Sequence, residues 1–264
     1  MSARLEESTV LVTGVTGGIG RAIAQALQAR GATVIASGRR REALDEVARE
    51  LGVEPLVADL SDPDQVAALV RGREIDVFVA NAALPASGRL DSFTPEEIDR
   101  ALNVNLRAPM QIARALVPAM VERGAGHLVF ISSLSGKMAS AGASVYNATK
   151  FGLRGFGFAL NDELRGTGVG ATTVFPGFIR DAGMFASSGA KLPRGVGTRR
   201  PADVAHAVIE GIEKNRAEID VAPFSLSYGA RLFGFAPGVT AAINRRLGAG
   251  PLADSIAEGQ KDMR

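Results

Sequence analysis

Tyr146 and Lys150 stand four residues apart in the segment YNATK, a spacing that places both side chains on one face of a helix. A cation beside a phenol favours the phenolate. An unperturbed tyrosine titrates near pH 10, so lowering it by roughly 3 units asks for about 4 kcal/mol, within reach of a close, partly desolvated ammonium. Such a pair poises Tyr146 for general acid/base work. Ser133 lies 13 residues earlier, at the carboxyl end of an apolar run, and its hydroxyl can donate to a substrate oxygen. Tyr228 is the only other tyrosine and has no such neighbours. Taken singly, each residue has a plainer use: a helical Tyr packs, a Lys one turn later is surface charge, and a Ser after a strand caps a turn. Together, at this spacing, they favour chemistry.

Far upstream, TGVTGGIG runs from Thr13 to Gly20, between an apolar run and an alanine-rich amphipathic stretch. A pyrophosphate needs close backbone approach and aimed N–H groups, which glycines at a strand-to-helix turn supply together with the helix N-terminus. Gly14 permits the tight turn, Gly18 the approach and Gly20 close helix packing. After the second apolar run the chain reads Ser37, Gly38, Arg39, Arg40, Arg41. An acid there would receive a ribose 2′-hydroxyl, whereas a planar guanidinium suits a 2′-phosphate. Arg39, with Ser37 as a further donor, favours NADP(H), with NAD(H) as the second possibility. The plainer reading is that the arginines merely begin the next helix, where the dipole disfavours cations.

These motifs, in this order, resemble the short-chain dehydrogenase/reductase family over about residues 8 to 222. TGVTGGIG is similar to its TGxxxGIG, Asp59 and Leu60 to its adenine-contacting Asp, Asn81 to Ala83 to its NNAG, and Tyr146 to Lys150 to its YxxxK. The resemblance implies an oxidoreductase in which Asn105, Ser133, Tyr146 and Lys150 form the catalytic set. In that set Lys150 also holds the nicotinamide ribose, and Asn105 helps order a water-linked proton path. It further implies dinucleotide contacts from Thr13, Gly14, Thr16, Gly18, Ile19, Gly20, Ser37, Arg39, Arg40, Asp59, Leu60, Asn81, Ala82, Tyr146, Lys150, Pro176, Gly177 and the backbone of Ile179. Two positions depart from the family: Asp181 stands where a Thr is usual, and Ala83 replaces a glycine.

The elements that must position these residues follow from periodicity. Short β-branched runs alternate with amphipathic stretches, the pattern of βαβ units around a buried parallel sheet. Strands are predicted at 9–13, 33–37, 54–58, 76–80, 127–132, 171–175 and 218–222. Helices are predicted at about 18–30, 41–51, 62–71, 95–122, 144–166 and 201–215, with Pro63 and Pro95 in first turns behind caps at Asp62 and Thr94. The fold class is thus a single-domain, doubly wound α/β Rossmann fold of about seven strands. Residues 178–200, with Gly183, Gly189, Gly195 and Gly197, read as a mobile lid loop. Its Phe178, Met184, Phe185 and Leu192 suit an apolar substrate or closure packing, and Arg180 and Arg194 are its nearby cations. The extension 223–264 could wall the pocket, pair subunits or rest on a membrane. Packing or pairing is favoured, since glycines at 229, 234, 238, 248 and 250 break up any long amphipathic helix.

Composition narrows the classes further. The 264 residues are 46% hydrophobic, enough for a large core, and carry no cysteine, which excludes disulfides and thiolate chemistry and fits a cytoplasmic setting. His127 and His206, the only histidines, are not spaced as a metal pair, so no metal is expected. The pI of 9.2 reflects near-cancellation of charge at a net +2, and the arginine clusters (39–41, 199–200, 245–246) are scattered, which disfavours nucleic acid. No run reaches the ~20 apolar residues of a membrane span. The expected partners are a small molecule, a lipophilic ketone, aldehyde or 3-oxoacyl compound, and further copies of the chain as a homodimer or homotetramer. The rival readings are a dinucleotide sensor or scaffold without chemistry, and an epimerase or dehydratase, which would carry a larger substrate domain.

Overall fold

The structure, a computed structural model, describes residues 5–192, 196–235, 238 and 249–261. Arg194, Gly195, Gly248 and the Arg245–Arg246 pair lie outside the described residues. Seven parallel strands form one sheet: β1 (Thr9–Thr13), β2 (Thr33–Gly38), β3 (Glu54–Val57), β4 (Val77–Ala80), β5 (Gly126–Ile131), β6 (Val169–Pro176) and β7 (Glu218–Val221). Their order is β3-β2-β1-β4-β5-β6-β7, so the winding reverses between β1 and β4, where open α/β sheets leave a crevice at the strand carboxyl ends.

The strands read as continuous apolar runs because both faces are covered. Val10, Val12, Val77, Val79 and Val129 face one core, which is closed by helices α1 (Gly18–Gln28), α2 (Arg41–Leu51) and α8 (Pro201–Lys214). Leu11, Phe78, Leu128 and Phe130 face the other, closed by α3 (Pro63–Ala68), α5 (Ala108–Arg123) and α6 (Ser144–Glu163). Valine and isoleucine dominate the first side, while the second mixes Leu and Phe with Ala80, Val169 and Ala171. Asp62 caps α3 by accepting from the N–H groups of Asp64 and Gln65, and Thr94 forms a capping box with Glu97 at the start of α4 (Pro95–Leu102).

One expectation needs correction and two gain detail. The helix predicted over 95–122 is not continuous: α4 and α5 are separated by a π-helical turn, Asn103–Arg107, which inserts Asn105 between them. The stretch read as a lid loop carries a short helix, α7 (Gly183–Ser187). In the extension, α9 (Phe224–Phe235) runs through Gly229 and Gly234, and α10 (Ala249–Gln260) contains Gly250 and Gly259. Glycine lowers helix propensity by only about 1 kcal/mol, which tertiary contacts override.

Candidate active site

The glycine turn is braced from the neighbouring strand. Asn81, one residue past β4, donates its side-chain N–H to the carbonyls of Thr13 (2.9 Å) and Gly14 (3.2 Å), while Thr13 Oγ1 accepts from the N–H groups of Asn81 and Ala82. Gly14 has φ +73°, and a Cβ there would stand 2.7 Å from Ala82 Cα, so both conformation and space demand glycine. A Cβ on Gly20 would lie 2.3 Å from Gly14 O, which lets the first turn of α1 close against the loop. At Gly18 the expectation is altered: the space a side chain would take is filled by Ala182 of the lid, whose Cβ is 2.3 Å from that point.

On the other side of β1, Thr16 packs against Gly38 at the end of β2, 3.1 Å from where a Cβ would be. Ser37 is buried and its carbonyl accepts from Gly14 and Val15, tying the turn to β2. Arg39 and Arg40 follow, both exposed, with Arg40 at the N-cap position of α2. Among the described residues Arg39 has neither a hydrogen bond nor an ion pair. Asp59 accepts from the backbone and hydroxyl of Ser61 just past β3, with Leu60 half-buried beside it.

The four residues at family spacing converge on the carboxyl ends of β4 and β5. Ser133, two residues past β5, accepts from Ser135 N–H at 3.1 Å and donates toward Pro176 O at 3.4 Å, and its hydroxyl is near enough to the Tyr146 phenol to favour the phenolate slightly. Lys150, 2% exposed, donates to Ile131 O at 2.9 Å and holds its ammonium 5.6 Å from the Tyr146 ring centroid. Asn105, 1% exposed, directs its amide to the backbone of Leu84 and weakly to Thr149 Oγ1 at 3.5 Å. π turns of this kind recur at functional sites because they re-aim a single residue.

Desolvation opposes the effect that the Tyr-Lys spacing implies. Burial pushes the Tyr146 phenol up to about 12, with the Ser133 hydroxyl pulling the other way, and burial brings Lys150 down to about 8. The physical reason is that Lys150 is buried and Tyr146 partly so, with the ammonium turned to Ile131 O, so desolvation penalises each charged form. At neutral pH the arrangement holds a protonated phenol beside a largely charged ammonium. That is a proton donor with a nearby group able to return the proton.

At the end of β6, Pro176 and Gly177 lead to Ile179, which forms an isolated bridge with Arg199. The hydrogen bonds of that bridge use Phe178 O and Arg180 N, so the N–H and C=O of Ile179 stand outside it. Asp181 is exposed, has φ +70° and sits 3.7 Å from Arg180, which also donates to Thr198. Phe178 and Phe185 pack on each other at 5.0 Å, so part of the apolar lid serves closure.

Several residues around the site escaped sequence reasoning. Asn147 donates to Ser135 O at 2.6 Å and Met138 O at 3.3 Å, fastening the turn after Ser133 to the Tyr146 helix. Lys137, buried over the Phe175 ring at 3.9 Å, pairs with Glu218 (2.9 Å) and Asp220 (2.8 Å) and pins the same turn to β7. The Asn beside Tyr146 was a readable signal for the first. Nothing in the sequence announced the second.

Comparison with known proteins decides the family. The family model described as short chain dehydrogenase matches residues 8–193. This chain belongs to that family. It is an oxidoreductase acting on the CH–OH/C=O pair. It is 35% identical over 227 residues to Ketoacyl reductase HetN of Nostoc sp., covering 82% of this chain and 79% of that protein. A short-chain dehydrogenase from Sphingobium yanoikuyae in complex with NADPH superposes with a TM-score of 0.77 at 29% identity, covering 88% of this chain and 94% of that one. A 3-oxoacyl-[acyl-carrier protein] reductase from Brucella melitensis gives a TM-score of 0.73 at 31% identity, covering 83% and 91%. Among the described residues no helix is long and apolar enough to cross a membrane.

Proposed function

We propose that the protein is an NADP(H)-dependent reductase of a lipophilic ketone, aldehyde or 3-oxoacyl compound, with Tyr146 as the proton donor. The observation that carries this reading is the gathering of Ser133, Tyr146 and buried Lys150 at the carboxyl end of β5, where burial keeps the Tyr146 phenol protonated. The residues present fit a dinucleotide: a braced glycine turn, a guanidinium at Arg39 without a partner among the described residues, and an Ile179 backbone outside its bridge. The turn, with Thr13, Thr16, Ile19, Ser37, Arg39, Arg40, Asp59, Leu60, Asn81 and Ala82, would hold the adenosine and phosphates, and Lys150, Pro176, Gly177 and Ile179 the nicotinamide end. When bound, the reduced nicotinamide supplies a hydride.

The chain's own groups do the rest. Ser133 Oγ donates to the substrate carbonyl oxygen and fixes it beside Tyr146 Oη. Tyr146 gives that oxygen its proton as negative charge develops there. Lys150 sits close enough to stabilise the phenolate that remains, and Asn105 keeps the Leu84 segment and the π turn in place around it. The NADPH-bound relative from Sphingobium and the two reductases named for ketoacyl and 3-oxoacyl substrates support the cofactor and the substrate class. Exposed Met110 and Val121 on α5 and Phe151 and Phe158 on α6 support self-association through that face.

The test is a panel of ketones, aldehydes and 3-oxoacyl thioesters with NADPH, comparing wild type with Tyr146→Phe. Turnover should fall at least ~100-fold in the variant with NADPH binding intact. Normal turnover by the Phe variant would remove Tyr146 from the mechanism, and NADPH binding without turnover of any substrate by wild type would favour a dinucleotide sensor.

A further inference from the structure

We infer that the C-terminal helix α10 latches the lid helix α7 over the glycine turn, with Gln260 as the positioning residue. The inference rests on the reading that this turn holds a dinucleotide. α7 begins against the turn: Ala182 fills the space beside Gly18, and a Cβ on Gly183 would lie 3.1 Å from Ile19 Cδ1. α10 then meets both ends of α7. Gln260 donates its side-chain N–H to Met184 O at 3.0 Å, and Gly259 lies so close to Ser188 that a Cβ would stand 2.1 Å from its carbonyl oxygen.

The same helix reaches the opposite wall of the cleft. Ala253 Cβ is 3.5 Å from where a Cβ on Gly142 would be, in the loop that leads into the Tyr146 helix, and Gly142 O accepts from Gly88 N–H at 2.7 Å. α10 therefore spans from the Tyr146 side to the lid.

The latch is built to release. Gln260 is 3% exposed, yet its carboxamide oxygen is buried with no partner among the described residues. A buried acceptor left unpaired disfavours the arrangement that buries it. A pyrophosphate approaching Gly18 needs the space Ala182 fills, so the start of α7 must shift when the turn is occupied. Met184 and Ser188 belong to the same short segment, so that shift strains or breaks both contacts with α10. Dinucleotide entry and release of α10 are thereby coupled, and Gln260 acts on binding through α7 without touching the reacting atoms.

Trypsin cleavage after Lys191, exposed four residues past α7, reads lid opening without any cofactor. Gln260→Ala removes the donor, and Gly259→Ala pushes α10 off Ser188 with the carboxamide intact. Both should raise the cleavage rate at Lys191 about 5- to 10-fold, tighten NADPH binding about 3-fold and raise substrate KM, with kcat little changed. Wild-type cleavage rates in both variants overturn the latch. Should both variants fail to fold, hydrogen exchange on the wild type decides: NADPH should change protection of residues 183–188 and 250–260 together, and a change in the first without the second overturns the coupling. Absence of NADPH binding by wild type would instead count against the cofactor reading, leaving the cleavage rates to judge the latch.

Discussion

Asn105 grips the backbone of Leu84 from both sides, accepting from its N–H at 2.7 Å and donating to its C=O at 2.9 Å. The π turn places this one side chain where the segment after β4 needs partners. Asn105→Ala leaves two backbone groups and Thr149 with fewer partners in a buried setting. Stability should fall by about 2 to 3 kcal/mol, read by urea denaturation, with a larger loss in turnover than in NADPH binding. A variant as stable as wild type would mean that Leu84 finds other partners.

The rate of carbonyl reduction should follow Lys150. Burial lowers its ammonium to about 8 while Tyr146 stays protonated to about 12. The charged amine is therefore present below pH 8 and lost above it, and kcat/KM should be flat from about pH 6 to 7.5 and decline as pH rises through 8. A decline beginning only near pH 10 would assign the titration to another group.

His127 offers a separate pH effect on stability. It is 1% exposed, shares a 2.8 Å hydrogen bond with Thr172, and burial brings it down to about 4 from the ordinary 6.5. The unfolded chain binds its proton first as pH falls, so the stability this neutral imidazole contributes is complete above 6.5 and lost progressively toward 4. The loss is about 3 kcal/mol. Urea midpoints measured from pH 7 to 4 should drop less in His127→Gln than in wild type, and parallel curves would locate the acid sensitivity elsewhere.

Arg39→Ala should weaken NADPH binding by about 10- to 100-fold, the range of a charge-assisted contact, and leave NADH binding nearly unchanged. Equal losses for the two cofactors, measured by fluorescence titration, would remove the 2′-phosphate assignment.

The parts of this protein that could be read in advance are those with a local signature. Parallel strands buried on both faces must be apolar runs, so Val10 to Val12 and Val77 to Val79 declared themselves, and Asp62-Pro63 and Thr94-Pro95 marked two helix starts within a residue. The Ser133, Tyr146 and Lys150 spacing is a property of one strand end and one helix, hence visible. What escaped depended on distant packing. A π turn differs from continuous helix by one residue and leaves the amphipathic pattern around Asn105 nearly intact. Gly250 read as a break although it lies inside α10, and the close approach of Gly259 to Ser188 had no local signature. The proton affinity of Tyr146 also depends on its burial, which a four-residue spacing does not report.

The brace from Asn81 to Gly14 joins positions 67 apart in the chain. During synthesis the glycine turn emerges early but cannot be fastened until β4 has been made, and the Tyr146 helix arrives later still. Long-range parallel pairing of this kind is slow to form and leaves strand edges open meanwhile. A ribosome-bound chain that stops short of Asn81 should therefore be a client for chaperones and unable to bind nucleotide, and the ability to retain a dinucleotide should appear late in translation.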